Sequence, residues 1–132
     1  PSAFVAASAD ADCKTGVVSA QVSTIQAAHV AETGMSLLEF PTPDETVAAV
    51  RNGEALCVFA DSDYLRPLVN ESNGALMFVG EPVSIGGGVG MGLRQSDQEL
   101  KGKMDAAITS MKADGTLNTM IETYFGPEGL KY

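Results

Sequence analysis

Between Gly16 and Val79 the hydrophobic period switches repeatedly between two and 3.6 residues, and turn or capping residues mark nearly every switch. Strand-type runs alternating with helix-type segments can bury both kinds of apolar face only by laying helices over a largely parallel sheet. Gly16–Gln21 (GVVSAQ) reads as a short buried strand. Ser23 then offers an N-cap to a helix over 24–32, which Gly34 stops. Met35–Phe40 is the second strand. Thr42-Pro43-Asp44-Glu45 joins a capping box to a proline at the first helical position, which predicts a helix over Pro43–Asn52. Ala55–Ala60 (ALCVFA) is apolar enough for a central strand, and Asp61-Ser62-Asp63 opens a helix to about Glu71 that Pro67 shortens or kinks. Asn73-Gly74 turns the chain into the strand Ala75–Val79, and Gly80-Glu81-Pro82 is expected to break regular structure.

The pattern changes after this βαβαβαβ series. Gly86-Gly87-Gly88-Val89-Gly90-Met91-Gly92 lacks the Gly-Lys-Ser/Thr ending of a phosphate loop, and Met91 occupies the third glycine position of a dinucleotide fingerprint. A hinge or a closely approached backbone explains such glycines better. A second capping box, Ser96 to Glu99, predicts a long helix over Ser96–Ala113, with Leu100, Met104, Ala107, Ile108 and Met111 on one face. Asp114-Gly115 ends it, and Thr116 is expected to cap a last helix with Leu117, Met120, Ile121, Tyr124 and Phe125 as its stripe. The expected division is residues 1–88 and 89–132.

Composition excludes several functions. Eight Lys and Arg against seventeen Asp and Glu, a net charge of -9, argue against a nucleic-acid partner. No apolar run approaches the roughly 20 residues that span a bilayer. Pro1–Ala9 lacks the features of a signal peptide, so a mature or trimmed form is expected. Cys13, Cys57 and His29 are too few for a structural zinc site, and no cofactor is expected. The apolar setting of Cys57 favours a free thiol, although the two cysteines could pair in an oxidising compartment. Nothing around His29 makes a triad, and the Met104, Met111 and Met120 stripe suits a core.

In open parallel sheets, ligands gather outside the C-terminal ends of the strands, where loops meet helix N-termini. That rule selects two places. At Gln21-Val22-Ser23-Thr24-Ile25-Gln26, helix-start amides and two hydroxyls could receive a carboxylate. Asp61 closes the central strand and could meet an ammonium group. Taken alone, Ser23 and Thr24 read more simply as N-caps of one helix, and Asp61 as the cap of another.

Together these segments resemble a known family, the polar amino-acid-binding proteins of bacterial ABC transporters. Its members commonly carry Gln-x-Gly-Thr-x-Gln after a strand, to which Gln21–Gln26 is similar. The likeness continues through Gly53–Asp61, Val79-Gly80-Glu81-Pro82, Gly90–Arg94, Lys112–Thr116 and Tyr124-Phe125-Gly126, in the family's order. The resemblance implies an α/β, three-layer sandwich with a mostly parallel sheet, followed by C-terminal helices. It further implies a periplasmic, non-enzymatic module that holds an α-amino acid and delivers it to a permease, or a sensory input domain of the same fold. By the same likeness Thr24 and the amides around Ile25 would take the α-carboxylate, Asp61 the α-ammonium, and Gln21, with Tyr64 beside it, the ligand side chain.

Three departures accompany the likeness. Ser23 replaces a usual glycine and is expected to alter the loop's backbone angle. Leu56 stands where Asp is common. Pro1–Ala6 resembles the inter-lobe hinge, so the opening half of the first lobe, with its carboxylate-clamping arginine, is expected to lie outside this chain. The C-terminal helices would then fold back on the second lobe or pack against another copy as a homodimer.

Overall fold

The computed structural model describes residues 1–127, 129 and 131–132. Its chain divides into two compact units, Pro1–Gly88 and Val89–Tyr132. The first contains β1 (Ser2–Ala6), β2 (Val17–Gln21), α1 (Ile25–Glu32), β3 (Ser36–Phe40), α2 (Pro43–Arg51), β4 (Cys57–Asp61), α3 (Ser62–Glu71) and β5 (Met77–Val83). The second contains α4 (Gln98–Asp114) and α5 (Thr116–Phe125).

One sheet runs β3-β2-β4-β1-β5. β2 pairs in parallel with β3 and β4, whereas β1 pairs antiparallel with both β4 and β5. The sheet is therefore mixed: four strands share one direction, and β1 runs against them between β4 and β5. Within Pro1–Ala6, the segment likened to an inter-lobe hinge, Ser2–Ala6 is a nearly fully buried strand in register from Ser2↔Asp61 to Ala6↔Cys57. Gly80-Glu81-Pro82 does not end β5, but it does interrupt the ladder: the pairing with β1 shifts register between Phe4↔Val79 and Ser2↔Val83, so the three residues form an irregularity within this edge strand.

Side chains alternate across the strands and fill a layer on each face. Val5 and Val58 pack with Val47 and Val50 of α2 and Leu65 of α3. Ala6, Val18, Cys57 and Phe59 face the other way and pack with Val30 of α1. The result is three layers, α1, the sheet, and α2 with α3. Phe4 stacks on Phe59 with ring centroids 4.3 Å apart, and His29 tilts against the same ring at 5.4 Å, a packing role. Ser19, buried in β2, donates to the carbonyls of Thr46 at 2.8 Å and Cys57 at 3.2 Å, so its hydroxyl is satisfied.

The free-thiol expectation is overturned: Cys13 and Cys57 form a disulfide across 44 residues of chain. Both belong to the core layer under α1, where the loop after β1 folds back over β4. Spacing along the chain carries no trace of that return.

The capping box of α2 is present at Thr42 and Glu45. The box expected at Ser96 does not form. Asp97 takes the cap position of α4 without a side-chain cap bond, one of its oxygens being held by Arg94 at 2.9 Å. Gly115, not Thr116, precedes α5, in a left-handed conformation with φ 82°. The glycine-rich stretch lies outside any helix or strand, and a β-carbon added at Gly86 would meet the Cδ1 of Ile25 at 3.0 Å.

Candidate functional site

The parallel register Val18↔Cys57 and Ser19↔Val58 sets β2 and β4 side by side, so their C-terminal ends share one rim of the sheet. Beyond β2, the Val22 amide donates to the Phe40 carbonyl at 3.0 Å and Ser23 turns the chain at φ 60°. Thr24, rather than Ser23, is the N-cap of α1: its hydroxyl accepts from the Ala27 amide at 3.2 Å and donates to the Gln21 carbonyl at 2.7 Å. Ser23 is exposed beside it. The altered backbone angle expected of Ser23 does not occur either, since it occupies the left-handed region that glycine favours. Among the described residues, the Ile25 and Gln26 amides have no acceptor within the chain, as at any open helix start.

Asp61 ends β4 on the same rim and stands at the N-cap position of α3, yet its side chain makes no cap bond. Its Oδ1 instead accepts from Nε2 of Gln26 at 2.8 Å, and among the described residues no Lys or Arg pairs with it. The simple capping alternatives therefore separate here. Thr24 does cap a helix, and Asp61 does not.

A cleft of about 200 Å³ opens at this rim. Gln21, Thr24, Asp61 and Tyr64 line it, joined by Gln26 and Thr46, whereas Ser23 and Ile25 are not among the lining residues. Ser23 and Ile25 contribute backbone to the turn and helix start, and both side chains are exposed. The Gln21 amide group is tied to the Pro41 carbonyl at 3.1 Å. Tyr64 donates its phenol to Oδ1 of Asp44 at 2.7 Å, linking α3 to α2. Burial, then this bond and the Asp44 charge, push the Tyr64 phenol well above its ordinary range, against a smaller opposing effect of Arg51. Among the described residues no three potential metal ligands cluster.

Sequence reasoning passed over Gln26 as a site residue. It shares the sheet-facing side of α1 with Ala27 and Val30, and a lone polar residue on an otherwise apolar helix face was the available signal.

No family model matches the chain. Over 104 residues it is 29% identical to the L-arginine-binding protein of Pseudomonas aeruginosa, which covers 74% of this chain and 40% of that one. A periplasmic His/Glu/Gln/Arg/opine family-binding protein from Silicibacter pomeroyi, solved in complex with lysine, is 63% identical, with a TM-score of 0.87 over 99% of this chain and 60% of that chain. Domain 2 from TmArgBP, 21% identical, shares the fold alone: it matches 64% of this chain over its own full length with a TM-score of 0.55. The chain thus spans less than two thirds of the longer relatives, whose periplasmic setting suits the Cys13–Cys57 disulfide. In fold and in sequence the chain is similar to the periplasmic amino-acid-binding proteins of the His/Glu/Gln/Arg/opine family.

Proposed function

We propose that this chain forms one wall of an amino-acid-binding cleft, receives the charged backbone groups of an α-amino acid, and works within a protein that delivers that solute to an ABC permease. The observation that carries the proposal is Asp61, a carboxylate with no cationic partner, on the same rim as the open start of α1. A zwitterion needs a negative group for its ammonium and hydrogen-bond donors for its carboxylate. Asp61 supplies the first, and the Ile25 and Gln26 amides, reinforced by the positive end of the helix, supply the second. Thr24 acts by holding this helix start in place, since its hydroxyl is already used within the chain.

The ligand class we infer is the basic amino acids, because the Silicibacter relative was solved with lysine and the Pseudomonas relative is an L-arginine-binding protein. The neutral Tyr64 and the anchored Gln21 then shape the space for the ligand side chain. Calorimetric titration of the full-length protein carrying this chain, with lysine, arginine, histidine, glutamine and glutamate, tests the reading. Asp61→Asn is expected to weaken binding of the preferred ligand about 30-fold or more, the cost of losing one partner of a desolvated charge pair. Unchanged affinity in that variant would remove Asp61 from the site.

A further inference from the structure

We infer that Gln26 is a positioning residue for the ammonium-binding carboxylate, a role that rests on the reading of Asp61 given above. Gln26 is only 8% exposed, and its Nε2 reaches two acceptors, Asp61 Oδ1 at 2.8 Å and Ser2 Oγ at 3.1 Å. An amide nitrogen carries two hydrogens, so one group serves both bonds. The orientation is dictated by charge. An ionised carboxylate only accepts, and the opposite flip would set the amide oxygen against it.

The choice of residue matters chemically. A buried glutamine costs free energy unless its polar atoms are bonded, so an apolar side chain would serve the α1–sheet contact equally well. A lysine or arginine would hold Asp61 too, but would cancel the charge that an incoming ammonium needs. A neutral donor fixes the carboxylate and leaves its charge intact. Ser2 is 1% exposed and lies opposite Asp61 in the β1–β4 register, so the amide is anchored to the strand beside the one that presents the acid. One carboxylate oxygen is thereby held before ligand arrives, which lowers the ordering cost of binding.

A double-mutant cycle read by titrating L-lysine into the full-length protein tests this. Gln26→Met, close in length and without a donor, is expected to weaken lysine binding about tenfold when Asp61 is present, and less than about twofold in an Asp61→Asn background. Should Gln26→Met fold poorly in a thermal melt, Gln26→Asn keeps the amide but withdraws it by one methylene, and the same pattern is expected. An equal loss in both backgrounds would mark Gln26 as merely structural and overturn the inference. A loss at Asp61→Asn with none at Gln26→Met overturns the positioning role while leaving the ammonium site standing. If Asp61→Asn alone leaves lysine affinity unchanged, both fall.

Discussion

At Ser23 the backbone turns through φ 60°, where a β-carbon crowds the adjoining carbonyl and costs about 1–2 kcal/mol. Its hydroxyl makes no hydrogen bond among the described residues that would offset this, so the strain is held by the β2–α1 connection around it. Ser23→Gly is therefore expected to raise unfolding stability by up to about 1 kcal/mol, and Ser23→Val to lower it by about 1–2 kcal/mol, both read from urea midpoints. The hydroxyl pair at Ser23-Thr24 was legible in the sequence, but which of the two caps α1 was not, since it depends on where the left-handed turn falls. Asp61 was legible for a different reason: an acid at the end of an apolar run needs no tertiary information to stand out. Its Gln26 partner was hidden because the two are 35 residues apart. Tyr64 carries a pH signature. Its phenol titrates higher in the folded protein than in the unfolded chain, so this contribution to stability is complete below the ordinary tyrosine value of about 10 and is lost as pH rises beyond it. Tyr64→Phe is expected to remove that alkaline component and, by deleting the bond to Asp44, to lower stability at neutral pH by about 1 kcal/mol, measured by denaturant titration at several pH values.

The elements that local chemistry controls were the readable ones. Thr42, Pro43 and Glu45 start α2 through contacts within four residues, and the helix forms where that signal puts it. β1 was unreadable because Ser-Ala-Phe-Val-Ala is too short to show a period, and it exists by pairing with β4 and β5, whose residues lie more than 50 positions away. Gly80-Glu81-Pro82 was half legible: it interrupts the pairing of β5 with β1, but the strand continues past it because a proline is tolerated at an edge, and edge position is a property of the assembled sheet. The disulfide belongs to the same class. It ties the loop after β1 to β4, and closing some 44 residues of chain restricts the unfolded state enough to stabilise the fold by about 4 kcal/mol in the chain-entropy estimate. Engineered cases often deliver less. Paired Cys13→Ser and Cys57→Ser replacement is therefore expected to cost about 2–4 kcal/mol, and reduction of the native protein a similar amount, each read as a fall in urea midpoint. A cost near zero would mean that the layer under α1 holds together without the covalent tie.

Across the whole molecule, the stabilising features are distributed unevenly. Every buried hydrophobic residue among those described lies between Ala3 and Leu76, as does the disulfide, and the sheet that both core layers rest on is complete within Pro1–Gly88. In Val89–Tyr132 neither helix has a buried side chain, and Leu100, Met120, Tyr124 and Phe125 are exposed. What steadies α4 locally is two i,i+4 ion pairs, Lys101 with Asp105 and Lys103 with Glu99, each contributing a few tenths of a kcal/mol on an exposed face. A 17-residue helix with that support is only marginal in water, because nucleation is costly and most helical stability comes from packing. The two segments are therefore expected to behave differently when produced separately. Residues 1–88 should unfold in one cooperative step with dispersed amide resonances, as their sheet, disulfide and two core layers require nothing from beyond Gly88. Residues 89–132 should show partial, non-cooperative helix by circular dichroism, rising in trifluoroethanol. If residues 1–88 instead melted without cooperativity, the cooperative folding unit would have to extend past the glycine-rich stretch, and the sheet and its disulfide would not be enough to hold the two core layers together.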